Sequence, residues 1–293
     1  MMNNIFTGLG VALVTPFKKD FTIDFDALAA LLEKQVEGGA DFLCVLGSTA
    51  ETPCLSVAEK LQVKDFVIEQ IKGRLPLLLG FGGNCTQELL HEVRDFDFKG
   101  IDGILSVCPF YNKPVQEGIY QHFKAVATEA GLPVVVYNVP GRTGINMSAA
   151  TTLRLARDVE NIVAVKEASG NVAQIDEIIA GAPDGFEVIS GDDAITSQLI
   201  QTGATGVISV IGNALPREFG AMVHAALSRK ADEANTLDGR LQPFYPLLSV
   251  DGNPAGIKAM MSLMGEVENV LRLPLVPARR ETVDALAKAL QLM

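Results

Sequence analysis

Short apolar runs rich in Val, Ile and Leu alternate with longer amphipathic stretches along most of the chain. Eight such runs recur: Gly10–Thr15, Phe42–Gly47, Pro76–Gly80, Gly103–Cys108, Pro133–Asn138, Ile162–Lys166, Phe186–Ser190 and Gly206–Val210. Each is nearly continuous in apolar residues rather than alternating, which is the pattern of strands covered on both faces. The stretches between them predict helices. Asp24–Val36 sets Phe25, Leu28, Leu31, Leu32 and Gln35 near one face. Ser56-Val-Ala-Glu59 is a capping box that opens a helix running to Ile71. Thr86–Phe98, Gln116–Ala130, Ser148–Arg157, Val172–Ala180, Ala194–Gln201 and Pro216–Ser228 complete the set, several closing at glycine.

Single helical crossovers between successive strands require parallel pairing, because each return passes across a face of the sheet. Eight such units in roughly 225 residues match the size of a (β/α)8 TIM barrel, an α/β fold. A doubly wound open sheet is the rival. It needs a glycine-rich phosphate loop after the first strand, and Thr15-Pro-Phe-Lys-Lys is not one. Beyond Ser228 the strand pattern stops, and Ala231–Val250, Pro254–Met264 and Ala278–Leu292 read as helices. The expected organisation is a barrel over 1–229 and a C-terminal helical region over 230–293. No linker, charge run or low-complexity stretch separates them, so the tail should pack on the barrel.

The 293 residues carry 24 Lys and Arg against 35 Asp and Glu, a formal net charge of −11. That balance argues against a nucleic-acid partner, whose phosphates need a basic surface, and against anionic lipid. No apolar run reaches the roughly 20 residues that span a bilayer. Met1–Gly10 lacks the basic and apolar blocks of a signal peptide. Cys44, Cys54, Cys85 and Cys108 form no CxxC pair and read as free thiols in a reducing, cytoplasmic setting. The three histidines stand in no HxxxH or HExxH spacing, so no metal site is expected.

Barrel chemistry sits where strands end and the following loops begin. There the chain places Gly47-Ser-Thr-Ala-Glu-Thr52, Pro109-Phe-Tyr-Asn-Lys-Pro114, Tyr137-Asn-Val-Pro-Gly-Arg-Thr-Gly144, Lys166-Glu-Ala-Ser-Gly170 and Ser190-Gly-Asp-Asp193. Lys166 is the most informative. It follows Ile-Val-Ala-Val without a break, so the strand carries it toward apolar surroundings, where a charged amine is expensive. An ordinary lysine of pKa about 10.4 is neutral in about one molecule in 2,500 at pH 7. Desolvation raises that fraction and makes the amine a nucleophile for a carbonyl. An ion pair with Glu167 or Asp192 is the plainer reading, and strand context alone leaves both open.

The neighbours have plain readings too. Tyr137 fits a packed ring, Tyr111 a loop anchor, Ser48 and Thr49 helix caps, and Arg142 a solvated turn residue. Asp192 and Asp193 fit the N-cap and first-turn acid of the next helix, and two carboxylates there argue against a phosphate site. Together, one amine, two phenols, two hydroxyls and one guanidinium converge on one rim, with no histidine, metal cluster or nucleotide loop. That inventory suits imine chemistry on an α-keto acid. The amine forms the imine, hydroxyls and backbone N–H groups hold the carboxylate, and a phenol moves protons.

Gly47-Ser-Thr-Ala-Glu, Pro109-Phe-Tyr-Asn-Lys-Pro, Tyr137-Asn-Val-Pro-Gly-Arg-Thr-Gly, Val165-Lys-Glu-Ala-Ser-Gly and Ser190-Gly-Asp-Asp, in this order, resemble the motifs of the dihydrodipicolinate synthase/N-acetylneuraminate lyase family. The likeness runs over nearly the whole chain. It implies a (β/α)8 enzyme that joins pyruvate to a lysine as a Schiff base, with no other cofactor. By this resemblance Lys166 forms the imine and Tyr137 is the general acid and base above it. Thr49 and its neighbouring amides hold the pyruvate carboxylate, and Ser48 relays protons between Tyr137 and Tyr111. Gly191 and Ile208 line the pyruvate pocket through their backbones. In this family the tyrosine matching Tyr111 reaches into the neighbouring subunit's site, which implies a tight dimer and, by family habit, a homotetramer.

Arg142 bears on the substrate. In the synthase branch an arginine here binds the carboxylate of L-aspartate 4-semialdehyde, and a guanidinium fork matches a carboxylate. The implied reaction is condensation of pyruvate with that aldehyde, toward diaminopimelate and lysine. The alternative within the family is cleavage of N-acetylneuraminate or a 2-keto-3-deoxy sugar acid. A third reading is a non-catalytic barrel that binds a small acid.

Two departures from the synthase pattern stand out. Ser48-Thr49-Ala50-Glu51 replaces the usual Thr-Thr-Gly-Glu. Serine keeps the relay hydroxyl but loses the methyl that restricts its rotamer, and it also occurs among the lyases. Ala50 puts in question a left-handed backbone at that place. The second departure concerns the pocket in which lysine-sensitive members bind L-lysine, matched here by Thr52, Pro53, Val57, Lys60, Asn84, Glu88 and Phe110. Asn84 and Glu88 fit. Val57 and Lys60 replace histidines, Phe110 replaces a tyrosine, and Lys60 adds a like charge, so weak or absent feedback is expected.

Overall fold

The structure, a computed structural model, describes residues 5–293. Met1–Asn4, on which part of the signal-peptide reading rests, lie outside the described residues. Eight parallel strands close into a barrel in chain order: β1 (Gly8–Ala12), β2 (Phe42–Val45), β3 (Leu77–Gly80), β4 (Gly103–Val107), β5 (Val134–Asn138), β6 (Ile162–Glu167), β7 (Glu187–Ser190) and β8 (Gly206–Ser209). β8 pairs back onto β1, so the barrel expectation holds and the open sheet falls.

The nearly continuous apolar runs have a direct cause. Ala12, Cys44, Leu78, Leu105, Val135, Ala164, Ile189 and Ile208 fill the barrel interior. Val11, Leu43, Leu79, Ile104, Val134, Val136, Val165 and Val207 face the surrounding helices. Neither face meets water. The lower end is plugged by Phe6 and Phe42, whose ring centroids lie 5.4 Å apart. Gly10 makes that plug possible, since a Cβ there would stand 2.2 Å from the Phe42 ring.

β1 begins two residues before the expected run and stops short of Leu13–Thr15. Those three turn to loop duty. Val14 N donates to Asn213 Oδ1 at 3.0 Å, and Thr15 Oγ1 donates to Ala50 O at 2.8 Å. The helix Phe25–Glu37 buries Leu28, Leu31, Leu32 and Gln35 as its periodicity requires. The capping box closes as expected, with Glu59 N on Ser56 Oγ at 3.3 Å and Ser56 N on Glu59 Oε2 at 2.8 Å.

The expected helix over Ala231–Val250 is a correction. It divides into Ala231–Leu241 and Tyr245–Ser249. Pro243 has no N–H to continue the first, and Pro246 sits in the opening turn of the second, where none is needed. Helices Ala255–Leu263 and Arg280–Gln291 complete the tail. Its Phe244, Leu248, Met260 and Leu286 join the same core as the outer faces of the strands. Among the described residues no helix is long and apolar enough to cross a membrane.

Candidate active site

A cavity of about 480 Å³ opens at the C-terminal ends of the strands. Ser48, Thr49, Tyr137, Arg142, Lys166, Gly191, Asp192 and Asp193 line it from the barrel. Gln242, Tyr245, Ser249 and Asn253 line it from the tail.

Strand periodicity places the amine. Along β6, Ala164 faces the barrel interior and Val165 the helices, so Lys166 turns inward. Along β5 the same alternation turns Val135 and Tyr137 inward. The register sets Tyr137 beside Lys166, and Lys166 Nζ lies 4.4 Å from the centroid of the Tyr137 ring. Lys166 is 5% exposed and makes no salt bridge among the described residues.

The ion-pair reading is therefore corrected. Glu167 faces the other way, fully buried, and accepts from Asn138 Nδ2 at 3.0 Å, Ser169 N at 2.8 Å and Gln174 Nε2 at 3.1 Å. Asp192 is occupied as a cap on Ala194 N at 3.0 Å. Cys44 is buried close enough to Lys166 to feel its charge, yet burial pushes its thiol up to about 11. It stays protonated at pH 7, which leaves the amine as the nucleophile. Gly191 keeps the space beside it open, since a Cβ there would meet Ala168 Cβ at 2.6 Å and Lys166 Cε at 3.2 Å.

The rim is built from loops. Ser48–Ala50 forms one tight helical turn, held by Thr15 on Ala50 O and by Thr52 Oγ1 on Gly47 O at 2.8 Å. The left-handed residue falls one place after Ala50, at Glu51 with φ 55°, so alanine brings no backbone penalty. Glu51 is buried and ion-paired with Lys258 of the tail, and it accepts from Arg272 N at 2.9 Å. Thr49 is buried, and its Oγ1 accepts from Asn253 Nδ2 at 2.8 Å. Arg142 rides a single helical turn, Pro140–Thr143, closed by Gly144 with φ 75°. Its exposed guanidinium donates from Nη2 to Asn253 O at 3.2 Å.

Asp192 and Asp193 take the places expected of them, N-cap and first-turn acid of the next helical turn, and Asp193 does more. Its carboxylate turns inward from that turn to the backbone that follows β8, accepting from Val210 N at 3.0 Å and Ile211 N at 2.8 Å. Burial pushes it up to about 6 despite those two donors.

Lys166, Tyr137, Ser48, Thr49, Arg142 and Gly191 thus meet in one cavity. Tyr111 does not join them. It is 88% exposed on a loop tip with φ 74°. Ile208 belongs to the barrel interior rather than to the cavity wall. Thr52, Pro53, Val57, Lys60, Asn84, Glu88 and Phe110 also lie outside the cavity. Among them Asn84 Nδ2 donates to Phe110 O at 3.2 Å, while Val57 and Phe110 are exposed. The tail residues are what the motifs missed. Their one local signal is the turn composition of Asp251-Gly-Asn-Pro254. Tyr245 is no free acid, since its hydroxyl donates to Asp238 Oδ1 at 2.7 Å and burial raises its pKa.

The profile of the dihydrodipicolinate synthetase family matches residues 5–293. A 4-hydroxy-tetrahydrodipicolinate synthase of Phocaeicola vulgatus is 55% identical over 284 residues, 97% of this chain and 96% of that protein. The crystal structure of dihydrodipicolinate synthase from Thermotoga maritima superposes with a TM-score of 0.96 at 39% identity, covering 99% of both chains. A structure described as the first monomeric dihydrodipicolinate synthase variant superposes at 0.95 and 39%, covering 98% of this chain and 96% of that one.

Proposed function

This chain belongs to the dihydrodipicolinate synthetase family, and from that premise we propose that its cavity condenses pyruvate with L-aspartate 4-semialdehyde, the reaction of a 4-hydroxy-tetrahydrodipicolinate synthase. One observation carries the chemistry: a buried lysine without a carboxylate partner, beside a phenol and beneath two hydroxyls and a guanidinium.

The Lys166 amine adds to C2 of pyruvate, and water leaves to give the imine. Tyr137, adjacent to that nitrogen, moves the protons of addition and dehydration. Thr49 and the amides of its turn hold the pyruvate carboxylate. Loss of a proton from C3 gives an enamine, which attacks the aldehyde carbon of the second substrate and leaves the new hydroxyl there. The amino group of the semialdehyde then displaces Lys166 from C2, closing the six-membered ring and freeing the enzyme. One water is released per turnover, and no redox partner is needed. Arg142 receives the carboxylate of the semialdehyde. Ser48 links Tyr137 to Tyr111, Ile208 and Gly191 flank the pyruvate, and no cofactor beyond the covalent imine is required.

Cleavage of sialic acid or a keto-deoxy sugar acid loses ground, because relatives between 45% and 55% identical carry the synthase name. Tyr111, projecting from its loop, fits a role in a partner subunit's site, which supports the reading of a tight dimer and, with the family's habit, a homotetramer. The neighbour described as a first monomeric variant is in keeping with oligomeric relatives. The step belongs to diaminopimelate and lysine synthesis in the cytoplasm.

The test is covalent trapping. Incubation with pyruvate and borohydride should add about 72 Da, pyruvic acid less water plus two hydrogens, at Lys166. Lys166→Ala should abolish both the adduct and turnover while the protein stays folded. An unmodified mass from an enzyme that still turns over would overturn the reading.

A further inference from the structure

Asn253 comes from the tail, 204 residues beyond Thr49, yet it touches the groups assigned to both substrate carboxylates. Its side-chain Nδ2 donates to Thr49 Oγ1 at 2.8 Å, and its main-chain carbonyl accepts from Arg142 Nη2 at 3.2 Å. A threonine hydroxyl has one proton to give. Because Oγ1 already accepts from Asn253, that proton is left to point into the cavity.

The orientation of the amide is informative. Asn253 Oδ1 is buried with no hydrogen-bond partner among the described residues. Turned over, the amide oxygen would take the Thr49 proton, but the NH2 would then lie buried at the place that offers no partner. The orientation in the structure strands one acceptor rather than an NH2 with two donors, and it keeps Thr49 a donor. A donor is what an incoming carboxylate requires.

We infer that Asn253 is a positioning residue that sets the Thr49 hydroxyl as a donor toward the pyruvate carboxylate through its side chain and holds Arg142 over the second site through its backbone. The inference rests on the proposed reading of the cavity. It divides the two effects between side chain and main chain, and a substitution removes only the first.

The experiment measures the pyruvate concentration that half-saturates borohydride trapping, together with the steady-state KM for each substrate. The variants are Asn253→Ala, Asn253→Asp, Thr49→Val and Asn253→Ala/Thr49→Val. Asn253→Ala should raise the pyruvate constant about three- to tenfold, the worth of one hydrogen bond, and move the semialdehyde KM by less than about twofold. Asn253→Asp should raise the pyruvate constant by about tenfold more, because a carboxylate takes the Thr49 proton and repels the substrate. In the Thr49→Val background the alanine change should add nothing. A rise in both substrate constants together would mark simple displacement of the tail and overturn the inference. So would an aspartate variant that matches or betters the alanine variant, or unchanged pyruvate trapping. Should Asn253→Asp not fold, the alanine and valine cycle still decides. If the unsubstituted protein traps no pyruvate, the functional reading itself fails, a different result from normal trapping that is indifferent to residue 253.

Discussion

Glu51 and Lys258 form an ion pair with both side chains fully buried, and it ties the loop bearing Ser48 and Thr49 to the tail that covers the cavity. Glu51→Ala would leave the Lys258 ammonium with the Val270 carbonyl at 3.0 Å and the Phe17 ring at 4.2 Å as its remaining partners. It would also strand Arg272 N, now 2.9 Å from Glu51 Oε2. Breaking a buried pair from one side destabilises by about 3–5 kcal/mol. At roughly 2–4 °C per kcal/mol for large domains, the melting temperature should fall by about 10 °C. Lys258→Met should do comparable harm by orphaning the carboxylate.

The double change Glu51→Leu/Lys258→Met is the informative one. Burial pulls the Lys258 ammonium down to about 8 against the opposing pull of Glu51, so desolvation outweighs attraction. Removing both charges while keeping volume should therefore recover most of the loss, leaving about 1–3 kcal/mol for Arg272 N, which loses its acceptor in either case. Urea and thermal unfolding of the four proteins give the coupling energy directly, expected to exceed about 2 kcal/mol. Two outcomes refute the reasoning: a double variant as unstable as the two singles summed, or a Glu51→Ala protein that melts with the parent.

Arg142→Ala should lower kcat/KM for the semialdehyde by about tenfold to a hundredfold, the loss of a partly exposed carboxylate contact, while pyruvate trapping persists; equal losses for both substrates would remove Arg142 from the second site. Asp193 is held at about 6 in the fold against a usual 3.8. A carboxyl raised on folding favours the folded state fully below pH 3.8, and this contribution is lost as pH climbs through 6. Relative to Asp193→Asn, the parent should therefore lose up to about 3 kcal/mol between pH 3.8 and 7 in urea titrations, and parallel pH profiles would refute it. Millimolar L-lysine should leave the initial rate nearly unchanged, and a low-micromolar inhibition constant would overturn the reading of Val57, Lys60 and Phe110.

Read alone, the residues determined a good deal. Eight nearly continuous apolar runs separated by amphipathic stretches left two main topologies, a closed parallel barrel and a doubly wound sheet, and the missing glycine-rich loop favoured the barrel. The inward direction of Lys166 is implicit in its two-residue spacing from Ala164, and that of Tyr137 in its spacing from Val135. The Ser56–Glu59 capping box is equally local, and it formed. Such features depend on near neighbours, and near neighbours are written in order along the chain.

Tertiary structure decided the rest. Glu167 and Lys166 are adjacent in sequence yet face opposite sides of the sheet, so the ion pair that proximity invites does not form. Asp193 sits in the first turn where the sequence put it, but its carboxylate also crosses to the backbone after β8, which no local pattern shows. Asn253 meets Thr49, and Lys258 meets Glu51, across more than two hundred residues. No periodicity announces such meetings. They exist because closure of the barrel gathers eight loops on one rim, and because the tail then docks there through its own apolar face, bringing polar side chains where charge and hydrogen bonding must be satisfied away from water.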